Sequence, residues 1–435
     1  MPQTQTSRDS TALKAWPRPV LLTALVFFVC VQVLGLLLRW QFVQVLPGFN
    51  YKFFLHAHSH VALLGWVHAI LMVALMRAFL PAGQAQAKRW HGLFWAAQAL
   101  VLGMLFSFPV QGYAAVSISF STLFLFVSYA QAGHLLRATQ GDTSLSRRLL
   151  WACLWLMMLS SLGPWSLGPI MALKLNQSPV YFLAIYFYLH FQYNGWFVFA
   201  LLALLLRWLE ARGIDTAGPL PRRAVWLLLG SSLPAYALSA LWTQPPLWVW
   251  VVAGAAALAQ LGALALFWRW GWVLRQTGSH LFSSVHFSSI PILPEVKLLL
   301  VLAWGCFNLK LLLQALTAWP FFAQLAYQQR SLVIFYLHLV LLGVVTCTLL
   351  AYLWQEQGLQ LNPTVRWGLG LFLLGFALSE TLILLQGLAA WWGLGAFVSL
   401  PLPIFLSSLL ILVGWLLIAL GQWPIVPGKP LPADP

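Results

Sequence analysis

The chain has 435 residues, of which 61% are hydrophobic and only 7% charged, with 23 Lys and Arg against 8 Asp and Glu. A water-soluble domain carries about 25% charged residues, so an ordinary soluble enzyme, a disordered chain and a disulfide scaffold are all excluded. In a chain this apolar, the net charge of +15 speaks first to membrane topology, and nucleic acid is not an expected partner.

A membrane-crossing helix needs about 20 mostly apolar residues. Twelve such runs follow one another, near 19–38, 53–80, 91–108, 112–135, 149–171, 180–206, 224–242, 247–268, 296–319, 331–354, 367–387 and 404–422. The predicted fold class is therefore all-α: a polytopic protein of the lipid bilayer, with a twelve-helix domain over 19–422 between short tails at 1–18 and 423–435. The first run is long enough to stay in the bilayer, so no cleavable leader is expected. Cys30, Cys153, Cys306 and Cys347 all fall inside apolar runs without CxxC spacing and read as reduced, buried side chains.

Basic residues set the direction. With the N-terminus inside, the inner segments hold 18 Lys and Arg. The outer ones hold four: Arg39, Lys52, Lys174 and Arg330. This imbalance predicts that both termini are cytoplasmic.

Ten histidines sort by depth. His91 and His134 fall at inner helix ends, and His280 and His286 fall in the longest loop. All four read as interfacial or loop residues. The others sit on three helices. Helix 2 carries Leu55-His56-Ala57-His58-Ser59-His60, then Gly65-Trp66 and His68. Helix 6 carries Phe187-Tyr188-Leu189-His190, then Gly195-Trp196. Helix 10 carries Phe335-Tyr336-Leu337-His338, then Gly343.

His60, His190 and His338 each precede a Gly by five residues, on helices that run the same way. At 1.5 Å per residue they lie roughly 10–15 Å below the outer helix ends. Three copies at one depth predict a threefold repeat of four-helix units. The Gly leaves room for either a flat cofactor or a close helix. At 100° per residue, His56 and His60 share a face and His58 points the other way. An intramembrane His can simply hydrogen-bond between helices. Three repeats at one depth favour a functional site instead. Imidazoles without nearby carboxylates suit haem iron, copper or zinc.

The twelve spans and the His motifs of helices 2, 6 and 10 resemble the heme-copper oxidase superfamily, meaning cytochrome oxidase subunit I and the nitric oxide reductases. His56-Ala57-His58 is also similar to the His-Ala-His of NnrS-type haem- and copper-containing membrane proteins. The resemblance implies one or two b-type haems, with copper as a further candidate. It matches His60 or His56 to the helix 2 haem ligand, His338 to a helix 10 ligand and His190 to the helix 6 metal ligand. As a metal-binding set it therefore implies His60, His190 and His338. It also implies a bacterial inner membrane, a quinol or cytochrome c as electron donor, and a small partner subunit.

The chain departs from that family at helix 7, which has no His between Arg223 and Trp242, and at helix 10, which has one. A three-imidazole copper site at helices 6 and 7 cannot be built. An alternative layout puts His60 with His338 on one haem and His58 with His190 on another. Lys310 and Arg330 are candidates for the haem propionates. Lys310 could instead pair with Glu380, the other charge inside a span. Glu295 is the only acid placed to begin a proton path from the inner face, so no proton pumping is expected.

The expected function is electron transfer or NO/O2 chemistry, with an oxidoreductase as the enzymatic form of that reading. The alternatives are a transporter or metal permease that relays ions through the same imidazoles, and a structural subunit. Helices 2, 6 and 10 lack the internal Pro that marks many broken transporter helices.

Overall fold

The structure is a computed structural model, and it describes residues 16–81, 88–277, 292–394 and 399–423. Among these residues it is all-α, without strands, and twelve helices are long and apolar enough to cross a membrane. They are α1 Arg18–Trp40, α2 Tyr51–Phe79, α3 Lys88–Gln111, α4 Ala115–Ala138, α5 Leu145–Ala172, α6 Pro179–Glu210, α7 Pro219–Thr243, α8 Leu247–Gln276, α9 Pro294–Leu316, α10 Arg330–Gln355, α11 Pro363–Trp391 and α12 Pro401–Leu420. Each corresponds to one predicted run. One further short helix, Pro320–Gln328, joins α9 to α10. His280 and His286 lie outside the described residues.

Local chemistry sets the helix starts. The side chains of Asn50, Ser144 and Asn362 accept from the backbone N–H three residues on, which caps α2, α5 and α11. Pro opens α6, α7, α9, α11 and α12, where its missing N–H has no helical partner to lose.

The three helices that carry the motif histidines are the innermost. In their most apolar stretches, α2 and α6 are each 83% buried and α10 is 56% buried, against 28–50% for the other nine. The large apolar core runs through all three. Trp66 on α2 donates to Thr346 Oγ1 on α10 at 3.1 Å and ties these inner helices together.

All three widen at the same place. Val61–His68, Phe191–Phe197 and Leu339–Thr346 are π-helical. Each segment begins at the residue after the motif His and encloses the motif Gly. A π-turn bonds residue i to i+5, and that is the His-to-Gly spacing.

The glycines are filled from neighbouring helices. A Cβ at Gly65 would lie 3.0 Å from Val101 on α3 and 3.1 Å from Phe27 on α1. At Gly195 it would lie 2.9 Å from Leu156 on α5. At Gly343 it would lie 2.6 Å from Cys306 Sγ on α9. Of the two roles open to the Gly, close helix approach is the one realised. The four cysteines are free thiols; three are buried and Cys30 is half-buried.

Candidate functional site

The histidines of α2 diverge onto two faces, as the helical spacing predicts. His58 turns to α1, where its Nδ1–H donates to the Val31 carbonyl at 3.0 Å. Gly35 makes room for it, since a Cβ there would stand 3.0 Å from His58 Cε1. A carbonyl only accepts, so the neutral ring keeps Nε2 as a lone-pair donor. His58 lies within electrostatic range of His338 on α10.

His338 is held the same way. Its Nδ1–H donates to Glu380 Oε1 on α11 at 3.1 Å, and among the described residues no hydrogen bond engages its Nε2. Both rings are thus oriented through Nδ1 and present Nε2, the arrangement that fixes imidazole ligands on a metal. Arg39 lies within electrostatic range of both His58 and Glu380.

Towards the Arg39 end of the bundle opens a cavity of about 300 Å³. Arg39 of α1, Tyr51 of α2, Arg330, Ser331 and Ile334 of α10, and Gln386 of α11 line it. Ile334 is one helical turn from His338.

His60 and His56 face α3 instead. His60 Nδ1–H donates to the His56 carbonyl at 2.8 Å, and its Nε2 accepts from the Tyr113 hydroxyl at 3.3 Å. The Phe108 ring covers His60 at a centroid distance of 4.4 Å.

His190 is buried and fully engaged. Pro234 turns the second half of α7 into a 3-10 helix. Tyr236 N–H then bonds to Leu233 O at 3.3 Å, which leaves the Ser232 carbonyl free. His190 Nε2–H takes that carbonyl at 2.8 Å, and Asn194 Nδ2–H donates to His190 Nδ1 at 3.1 Å. With both nitrogens occupied, His190 has no lone pair to offer an ion.

The sequence-predicted residues therefore separate. His58 and His338 are each bonded through Nδ1 and lie within electrostatic range of each other. The expected metal set His60, His190 and His338 faces three different neighbours. Among the described residues no three His, Cys, Asp or Glu side chains come together as a metal cage. Arg330 lines the cavity together with Arg39, whereas Lys310 does not line it. Lys310 is buried on α9 within electrostatic range of His190, its ammonium 5.9 Å from the Phe307 ring. It does not pair with Glu380, which His338 occupies.

His68 bonds Gln131 on α4 at 2.9 Å and serves packing. His91 is exposed, and half-buried His134 meets Trp90 edge-on at 5.0 Å, in keeping with interfacial roles. Sequence reasoning missed Arg39 and the Glu380–His338 bond. It also missed the withdrawal of His190, for which Pro234 was the available signal.

Compared with known proteins, the chain matches no family model and no curated protein at significant similarity.

Proposed function

We propose that this chain is a haem-binding integral membrane protein that transfers electrons or handles a diatomic gas such as NO or O2. The observation that carries this reading is that His58 and His338, within electrostatic range of each other, are both held through Nδ1. The donor set suits haem iron: two imidazoles, one on α2 and one on α10, each anchored through Nδ1 so that Nε2 is the remaining donor. The Arg39 and Arg330 guanidiniums, which line a cavity one helical turn from His338 at Ile334, suit the two carboxylates of a haem. When bound, the haem would supply one-electron redox chemistry. The protein's part is orientation. Val31 and Glu380 hold the ring tautomers, and the apolar helix walls exclude water.

The three π-segments that follow His60, His190 and His338 support the threefold repeat. The reading places the protein in a bacterial inner membrane with both termini inside, fed by a quinol or cytochrome c and served by a small partner subunit. It includes no proton translocation. Glu295, the acid nearest the inner end of α9, is held by Arg366 at 2.9 Å.

The test is a reduced-minus-oxidised spectrum with iron analysis on the purified protein. The expected result is a Soret band that His58→Ala and His338→Ala each abolish and His60→Ala leaves in place. Colourless, iron-free protein overturns the proposal. Metal-uptake assays would then examine the permease alternative.

A further inference from the structure

On the face of α2 opposite His58, the same helix builds a second constellation. His56 and His60 are one turn apart, the i, i+4 spacing at which a helix presents two imidazoles to one ion. His60 is oriented by its Nδ1–H bond to the His56 carbonyl at 2.8 Å, so Nε2 points outward. The Tyr113 hydroxyl stands 3.3 Å from that Nε2, and the Tyr113 ring lies 4.5 Å from the His56 ring. The half-buried His56 ring makes no hydrogen bond among the described residues. An oriented imidazole, a second imidazole one turn away and an oxygen donor thus lie side by side on the face away from His58.

The position is built. Tyr113 belongs to the α3–α4 turn, where Gly112 adopts φ +62°. A Cβ at Gly112 would run into the Phe53 ring, so the turn sits tightly on α2 and fixes Tyr113 over the two histidines. Phe108 closes the inner wall, 4.4 Å from His60 and 6.1 Å from His56 between ring centroids. Tyr113 is 45% exposed, so an ion can enter from the bundle end. The nearest cation on α2, Lys52, is one turn further out and exposed, where water screens it.

We propose that His56, His60 and Tyr113 form a metal site for a borderline divalent cation, with Cu2+ the preferred ion. Two imidazole nitrogens and one phenol oxygen, without a carboxylate or thiolate, disfavour Mg2+ and Ca2+, which take oxygen shells. They suit copper and zinc, and among divalent ions on such donors Cu2+ binds most tightly. The site holds its ion with α2 and the α3–α4 turn alone. It does not depend on the His58–His338 pair, so copper loading and haem loading are separable.

The test is titration of CuCl2 into the full-length, tag-free protein in detergent, read by electron paramagnetic resonance and by copper per polypeptide. The expected result is one Cu2+ whose spectrum carries coupling to two nitrogens. His56→Ala and His60→Ala should each weaken binding at least tenfold, and Tyr113→Phe several-fold. His58→Ala should leave the copper signal intact. Melting temperature, measured on each variant, shows that it is folded, and iron content separates this outcome from that for the haem. Sub-stoichiometric copper in wild type, or a copper signal unchanged in His56→Ala, overturns the proposal, as does equal loss in His58→Ala.

Discussion

His338 donates its Nδ1–H to Glu380 Oε1 at 3.1 Å across the α10–α11 interface, while the second oxygen of that carboxylate is buried and has no hydrogen-bond partner among the described residues. Glu380 holds the ring in the tautomer that presents Nε2, so it is a positioning residue for His338. Replacing it distinguishes orientation from charge. Glu380→Gln keeps an acceptor for Nδ1–H, and on the proposed haem-binding reading haem content should stay at the wild-type level. Glu380→Leu removes the acceptor, and haem affinity should fall about 10–100-fold, the usual cost of losing such a partner. Haem per polypeptide, measured by pyridine haemochrome, reads both. Full occupancy in Glu380→Leu would show that the bond does not position a ligand.

The spans were legible because hydropathy and length are properties of each segment alone. The depth of the motif histidines followed from helical rise, and the two faces of α2 from its 100° step. What escaped the sequence depends on neighbours. Which helix His58 meets is decided by Gly35 and Val31, 23 and 27 residues upstream. Glu380 reaches His338 from 42 residues away, so no local pattern joins them. The π-widening left a trace in the His-to-Gly interval of five, but that interval equally suits a cofactor gap. Only the packing of Leu156 and Cys306 against Gly195 and Gly343 separates the two.

Those contacts predict graded intolerance at the motif glycines. Gly343→Ala brings a Cβ to 2.6 Å of Cys306 Sγ and 3.0 Å of Phe376, with a helix on each side. Gly195→Ala meets Leu156 first, at 2.9 Å, and Gly65→Ala meets Val101 and Phe27 at 3.0 and 3.1 Å. Overpacking a tight core costs about 1–3 kcal/mol, and Gly343→Ala should lie at the upper end. Melting temperatures in detergent should fall most for Gly343→Ala. A smaller fall for Gly343→Ala than for Gly65→Ala would contradict the close-approach role.

Outside the membrane-spanning segments, Asp142 in the α4–α5 loop carries a pH signature. Burial pushes its carboxyl up, but the Ser144 N–H at 2.8 Å, together with Ser144, Arg207 and Arg147, reverses this and holds it below the ordinary value of 3.8. Arg207 reaches it at 3.2 Å. Because the folded-state value is depressed, the contribution to stability is full above the unfolded value. It is lost as pH falls from about 4 through the folded value. Melting temperatures of wild type and Asp142→Asn should differ at neutral pH and converge on acidification below pH 4. A gap that stays constant over this range would remove Asp142 from the loop's acid sensitivity.

His190 offers the sharpest separation between a metal ligand and a structural histidine. Its Nε2–H bonds the Ser232 carbonyl at 2.8 Å, the group that the 3-10 turn after Pro234 sets free, and its Nδ1 accepts from Asn194 at 3.1 Å. His190→Ala strands a buried carbonyl and a buried amide and opens a cavity. Each stranded group costs about 1–3 kcal/mol, so the melting temperature should drop clearly. The haem Soret band per polypeptide and the copper stoichiometry should both stay at wild-type values, because neither the His58–His338 pair nor the His56–His60–Tyr113 cluster includes His190. Loss of iron or copper in a folded His190→Ala protein would show that the ring leaves Ser232 to bind the ion.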